Sequence, residues 1–472
     1  MAFATPFVNI DSLNFGLVLQ IAFSQGIRQQ LSTDFQDWTV VSRLRIANTL
    51  ARQLQFMSNS TLGMAAIQYV NPGVSGRAFP GAQQSSVSEH IAKLKEIDAT
   101  IEIEHNMWER AMKSPEKYGE PLALEMENKA VGSKRLIASG FYGDGSGRVC
   151  EVSSVDDLTS LASDFCRVTV ANTTTSAGFF GNIHQGDLLM NTDNDGTAPT
   201  IPTETSGNSF YCWRVKSKAR KAKTVDLEPV DSSGNVVTDI TASNIAAGDY
   251  FFRIGQVPGA SGSSVAACTS ADWTGSIADY GTISNCFPGL ESLAASDGRV
   301  VHQMTMSGAF AGSRLDASTS ALSCDLVHEM MDNVKINVGE STYKYKLLSM
   351  SPEAQRAFID LNETDRRLGQ GEGERGGAFT YRHRNDVLSI YCSEFVPDYR
   401  VYALPEASGS KKVLEFWGTD FATVKGMGTG DFHLKPASGG GHTNMMVSYM
   451  RAYNTLLCKH PAAIASLHNF TL

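Results

Sequence analysis

Three short strings carry residue types that can do chemistry. Gly371-Glu-Gly-Glu-Arg-Gly376 has the G-x-G-x-x-G spacing in which backbone amides cradle a pyrophosphate, a task that needs a strand before it and a helix start after it. A helical pattern precedes it and a strand-like stretch follows, so it reads as a charged surface loop. His328-Glu-Met-Met-Asp332 puts His and Glu on one helix, but the second His that a zinc helix supplies is missing. A structural helix is expected there. Gly143-Asp-Gly-Ser-Gly147 is the string nearest to a nucleophile elbow, yet Ser146 directly follows a glycine, and the elbow spacing fails. This string reads as a helix stop. The remaining histidines are scattered, and none is paired in sequence with a nucleophile. No catalytic, cofactor or metal site is expected, and the chain reads as something other than an enzyme.

One run of charge stands out. Arg214, Lys216, Lys218 and Arg220 alternate with Val215, Ser217 and Ala219, and Lys221 and Lys223 extend the run. On a strand, alternation would put the four cations on one face. That face reads either as a DNA contact or as a solvated or subunit-pairing surface, and the chain's formal charge of −9 favours the second. Any DNA nearby is expected to be enclosed and weakly contacted, because phosphate affinity comes from clustered Lys and Arg.

The elements that must carry these residues follow from length and pattern. At 472 residues the chain exceeds the roughly 250–300 at which a single core stops growing, so several domains are expected. Apolar residues make up 42% and charged residues 19%, an ordinary globular composition. The eight cysteines, at 150, 166, 212, 268, 286, 324, 392 and 458, form no C-x-x-C pair and read as reduced, mostly buried thiols. No basic segment with an apolar core opens the chain, and no apolar run approaches the roughly 18 residues of a membrane span. A cytosol-like compartment and no membrane partner are expected.

Along the chain, residues 1–60 read as an arm with one amphipathic helix over Asp34–Phe56, where Val40, Val41, Leu44, Ile46, Leu50 and Leu54 recur near helical spacing. Between Met64 and Glu104 the pattern is two strands joined by the turn-rich stretch Asn71–Ser86. In the second strand Ile97, Ala99, Ile101 and Ile103 alternate with charged or polar residues. Two strands are marginal alone, so this apolar face needs a partner, either elsewhere in the chain or on another copy. Pro115 and Pro121 are helix-start signals for a long helix that stops in Phe141–Gly147. Residues from about 151 to 275 become rich in Ser, Thr and Gly, with strand-like runs at Ser209–Val215, Thr224–Pro229 and Tyr250–Ile254, and read as a separate β-rich domain. Helices are expected at Leu315–Asn333 and from Ser351 to about Leu368. Strands are expected at Lys344–Met350, Val387–Cys392 and Arg400–Leu404.

This order of arm, hairpin, long helix, glycine-rich exit and β-rich insertion resembles the tailed-phage major capsid proteins of the Hong Kong 97-like fold. The strings that carry the resemblance are Leu124-Glu-Met-Glu127 and Phe141–Gly147 for the spine helix and its exit, and Ala247-Gly-Asp249 through Gly255 with Pro288-Gly-Leu290 for the return from the insertion. Asp386–Leu404 resembles paired strands late in the A domain, and Lys459-His-Pro461 the closing strands of the P domain. The resemblance implies an α+β fold divided as an N-terminal arm (1–60), an E-loop hairpin (61–105), a P-domain spine helix (106–150), a β-rich insertion domain (151–275), an A domain (276–410) and P-domain closing strands (411–472).

It also implies the hairpin as the inter-subunit element, with Arg77, Phe79, Ile97, Ile101 and Ile103 as its contact residues. The implied partners are further copies of the chain in hexamers and pentamers, a portal, a decoration protein, and packaged DNA. With only about 60 residues ahead of the hairpin, a separate scaffolding protein is expected over a fused one. Cross-linking through Lys93 or Lys95 is not expected. The implied location is the virion, after assembly in the host bacterial cytoplasm. The alternatives are an encapsulin-like compartment shell and a β-rich surface- or carbohydrate-binding protein.

Overall fold

The computed structural model describes residues 41–45, 53–59, 87–106, 131–145, 147–157, 165–171, 180–192, 212–230, 236, 245–253, 286–339, 342–366, 380–406, 413–418, 422–423, 433–436 and 442–472. Within them lie a body of two six-stranded sheets with helices, a two-stranded ribbon, and a closed six-stranded barrel inserted into the body.

The first sheet is organised by one strand, His442–Cys458. Along one edge it pairs in succession with His433–Pro436, Ala422–Thr423 and Leu414–Gly418, and Ser42–Arg45 adds in parallel to the last of these. Along its other edge runs Lys95–Glu104, antiparallel over ten register pairs from Lys95 opposite Asn454 to Glu104 opposite Met445. The apolar alternation of that strand therefore has its partner within the chain: Ile97 stands opposite Ala452, and both are buried in the body core.

The second sheet has the order Ser313–Asp316, Ala465–His468, Arg400–Pro405, Tyr345–Met350, Asp386–Cys392, Thr380–His383. Helix Cys324–Val338 covers one of its faces with Val327, Met330, Met331 and Val334, all fully buried, and Ser323 caps its first turn by accepting a hydrogen bond from the Leu326 amide. Helix Pro352–Arg366 starts with proline where a missing N–H costs nothing, and packs on Asp386–Cys392.

The barrel joins Arg148–Asp157, Cys166–Val170, Leu188–Thr192, Cys212–Ala219, Thr224–Val230 and Tyr250–Arg253. Closure leaves no open edge. Alternation is legible in the burial of Cys166, Val168 and Val170, and of Val225 and Leu227, with Arg167, Asp226 and Glu228 facing outward. The interior is filled by its own cluster, including Trp213, Phe251 and Ile183. Trp213 meets its polar obligation by donating from Nε1 to Asn191 Oδ1 at 3.3 Å, and Asn191 in turn donates to Asp249.

Several expectations are corrected. Ser42–Arg45 and Gln53–Asn59 are strands, although the apolar spacing over Asp34–Phe56 predicts a helix. The hairpin is formed by Gln53–Asn59 and Val87–Lys93, so Lys95–Glu104, expected as its second arm, belongs to the first sheet. Ser313–Asp316 is a strand, and the helix read from Leu315 begins at Cys324. Asp386–Cys392 and Arg400–Pro405 do not pair with each other, because Tyr345–Met350 lies between them, parallel to the first and antiparallel to the second. The strand Ala465–His468 joins the second sheet and not the closing strands around His442–Cys458. The N-terminal arm before 41, Leu124–Glu127, the Gly371–Gly376 string, Arg77 and Phe79 lie outside the described residues.

Candidate assembly arm and the seam between barrel and body

The ribbon begins where Gln53–Asn59 pairs antiparallel with Val87–Lys93 over seven residues. Its base is anchored. Phe56 and Ala92 are buried in the body core, and the Phe56 ring meets His302 edge-on at 6.2 Å and His90 at 5.7 Å, while His90 meets Phe310 at 5.4 Å. Beyond this base, neither edge of the ribbon pairs with another strand among the described residues. A two-stranded sheet offers a row of unpaired N–H and C=O groups on each edge and is marginal in water unless something covers it.

The expected contact residues separate. Ile97 is 6% exposed and packs inside its own body, which removes it from the arm. Ile101 and Ile103 hold register positions opposite Ser448 and Met446 in the same strand pair, one sheet away from the ribbon.

The junction that carries the barrel is built from close backbone approach. Helix 131–142 stops at Gly143, whose amide bonds Gly140 O at 3.1 Å, and Gly145 and Gly147 take φ of 80° and 83°, which only glycine adopts readily. The helix end is tied to the second sheet by Tyr142, whose hydroxyl bonds Ser349 Oγ at 2.6 Å. Pro288 and Gly289 then lie against this end: a Cβ on Gly289 would stand 2.6 Å from the carbonyl oxygens of Phe141 and Gly143. Ser292 donates to the Asp144 carbonyl, which fixes the short helix Leu290–Leu293 to the same place.

The basic run does not form one face. A bulge between Val215 and Ser217 shifts the register, so Arg214 stands opposite Glu228 while Ser217, not Lys216, stands opposite Asp226. Each cation then has its own surroundings. Arg214 pairs with Glu228 at 2.6 Å, and Lys216 lies over the Phe165 ring at 4.9 Å. Lys218 donates to the Ile183 carbonyl at 2.6 Å, and Arg220 reaches Glu353 of the body at 3.7 Å. Lys223, at the hairpin turn with φ 53°, is held by Glu353 at 3.0 Å and Asp398 at 2.7 Å. Burial opposes its charged form, but those two carboxylates outweigh it and raise its pKa.

These contacts are part of a seam between the barrel and the 393–398 segment of the body. A cleft of about 140 Å³ lies in it, lined by Phe180, Lys218, Arg220, Lys223, Glu394 and Asp398. Sequence reasoning found the cations but not their partners, because Glu353, Glu394 and Asp398 are distant in the chain and carry no local signal. Among the described residues, no group of His, Cys, Asp and Glu could hold a metal ion, and no helix is long and apolar enough to cross a membrane.

No family model matches the chain, and no curated protein matches it. Among solved structures it is similar to a chain from the capsid of an empty GTA particle, at 10% identity and a TM-score of 0.39, over 100% of this chain and 95% of that one. It is also similar to a chain of Gordonia phage Cozz, at 8% identity and 0.38, over 92% and 85%. A third likeness is to the Cyanophage A-1(L) capsid asymmetric unit, at 10% identity and 0.37, over 93% of each chain.

Proposed function

We propose that this chain is a shell-building subunit, the major capsid protein of a tailed double-stranded DNA phage, which assembles with its own copies into hexamers and pentamers of an icosahedral shell. The observation that carries this reading is the ribbon. Its base is fixed in the body core by Phe56 and Ala92, and both its edges are without a paired strand among the described residues. In a shell the covering surface is a neighbouring copy, and each contact is repeated around the capsomer, so modest apolar burial per subunit accumulates.

The remaining parts fit that task. The two sheets and their helices form the body, the first sheet joins the early strands Ser42–Arg45 and Lys95–Glu104 to late ones, and the filled barrel is an outgrowth. A net charge of −9 suits a wall that encloses DNA without gripping it. On this reading the partners are a separate scaffolding protein, a portal and a decoration protein, and the location is the virion.

The test is electron microscopy of the full chain, expressed alone and together with candidate scaffolding proteins. Closed shells, or rings of five and six, are expected, and nucleic acid inside purified particles distinguishes a genome container from an enzyme compartment. Replacing residues 60–86 by a short Gly-Ser turn should leave soluble subunits with unchanged circular dichroism that no longer close. Uniformly small particles under every assembly condition, or normal shells from the shortened variant, would overturn the reading.

A further inference from the structure

The seam between barrel and body contains a buried histidine that neither the fold nor the proposed assembly uses. His184 lies in the barrel segment between Phe180–Asn182 and Leu188–Thr192 and is 7% exposed. Its Nδ1 is 3.8 Å from Asp187 of the barrel, and its Nε2 is 3.6 Å from Glu394 of the body. Both separations are ionic and longer than a hydrogen bond, so the pair depends on charge. The imidazole also lies against the Phe395 ring at 5.7 Å. The imidazole thus bridges the barrel and the body across this part of the seam.

The other charges around it are Arg253, Lys218 and Arg135, from three elements. Asp187 accepts the His184 amide at 3.0 Å and pairs with Arg253 at 3.3 Å. Arg253 also donates to Ser139 of helix 131–142 at 3.2 Å and to the Asn182 carbonyl. Lys218 approaches from Cys212–Ala219, and Arg135 from helix 131–142 acts on both Glu394 and Lys218. Burial disfavours the charged imidazole, but the Asp187 and Glu394 carboxylates outweigh both this and the repulsion from Lys218, so the His184 pKa is raised. Glu394 responds in kind, its pKa lowered chiefly by His184.

We propose that this seam is a proton-operated latch: while His184 carries its proton it holds the 180–187 edge of the barrel against the 393–398 segment of the body, and loss of that proton frees this edge. The sign follows from linkage. The part of the attraction that belongs to docking is the pair of His184 with Glu394, since Asp187 stays beside His184 on the barrel; this pair is charged while His184 holds its proton and fades as pH rises through its raised pKa. Only the 180–187 edge of the barrel takes part, since the ladder of Cys166–Val170 with Thr224–Val230 is closed away from the seam contacts of His184. Lys223, held by Glu353 and Asp398, keeps the hairpin end attached, so the opening is local to the His184 side.

The test is hydrogen exchange on the full chain at pH 5.5 and pH 8.0, corrected for the intrinsic pH dependence of exchange. The reporters are the amides of Gly186, bonded to Val215 O, and Val396, bonded to Ser393 O. Their protection should fall by roughly tenfold at the higher pH, while Val168 and Val225 inside the barrel ladders keep theirs. His184→Gln, which cannot take the proton, should show low seam protection at both values. Glu394→Gln, a change at a half-exposed position, should also flatten the pH response without disturbing the barrel ladders. Equal seam protection at both pH values in the unaltered protein, or a pH step that persists in His184→Gln, would overturn the latch.

Discussion

The junction between the helix and the barrel makes a sharp prediction about three glycines. Gly289 has φ −99° and ψ −165°, a backbone conformation open to any residue, so alanine there costs nothing in dihedral strain. The cost is steric. The added Cβ would stand 2.6 Å from the carbonyl oxygens of Phe141 and Gly143 and would press on Gly140 O as well. All three are backbone atoms of one helix end, which cannot rotate aside, and overpacking of this kind costs typically 1–3 kcal/mol. Gly289→Ala is placed at the upper end, about 3 kcal/mol.

Gly140→Ala meets only the rim of the Phe287 ring, at 2.8 Å, and a ring can shift, so about 1 kcal/mol is expected. Gly132→Ala, at an exposed helical position with nothing within 4 Å, should stabilise by about 0.5–1 kcal/mol. Because a chain with a separate barrel need not unfold in one step, the assay is local: exchange of the amides of Gly143, Leu293 and Ala294, which close the two helix ends that meet at this junction by bonding Gly140 O, Gly289 O and Leu290 O. Exchange should quicken roughly a hundredfold in Gly289→Ala and several-fold in Gly140→Ala, and slow slightly in Gly132→Ala. If Gly289→Ala exchanges no faster than Gly132→Ala, the reading of this junction as close backbone packing is refuted.

Ile97→Asp places a carboxylate in the body core opposite Ala452 and should destabilise the first sheet by about 3–5 kcal/mol, lowering soluble yield before any assembly step; normal yield with a failure confined to shell closure would return Ile97 to the subunit interface. His468, 1% exposed and facing Arg400 and Arg314, has its pKa driven well below 6.5 first by burial and then by those guanidinium groups. It stays neutral when folded and takes a proton when unfolded, so it adds up to about 1.4 kcal/mol of stability loss per pH unit as pH falls below 6.5. Thermal midpoints at pH 7.5, 6.0 and 5.0 should fall less steeply in His468→Asn, and an unchanged slope would refute the assignment. Among the thiols, burial pushes Cys212 and Cys458 up to about 12 and Cys286 up to about 11, whereas Cys324 and Cys392 are part-exposed. Maleimide labelling of native protein, read by mass spectrometry, should modify the last two first; early modification of Cys458 would contradict the packing of His442–Cys458.

What could be read in advance divides by the range of the forces involved. The helix end at Phe141–Gly147, the strand Tyr345–Met350, the helix from Pro352 and three of the six barrel strands, Cys212–Ala219, Thr224–Val230 and Tyr250–Arg253, were legible, because glycine, proline and short-range alternation act within a few residues. The stretch Asp34–Phe56 misled because Val40, Val41, Leu44 and Ile46 suit either period, and the strand Ser42–Arg45 is decided by Leu414–Gly418, far along the chain. The alternation of Ile97 to Ile103 correctly announced a half-buried strand, yet no local feature names His442–Cys458 as its partner. The basic run failed for a similar reason. A bulge at Val215 and carboxylates on a different domain determine where its charges point, and neither is written in the run itself.

The first sheet has a consequence for how the protein is made. Its central strand ends at Cys458, while two other strands of the sheet are among the earliest described segments: Lys95–Glu104, which pairs with that central strand, and Ser42–Arg45, which pairs with Leu414–Gly418. On the ribosome those early strands emerge long before the strands that cover them, and Ile97 must wait without its partner Ala452 through most of translation. The barrel faces no such delay, since all its strands lie between Arg148 and Arg253 and can close while the rest of the chain is still being synthesised. The nascent protein thus carries a finished module flanked by an unfinished one, and its exposure to aggregation is concentrated in the interval before residue 458 is released.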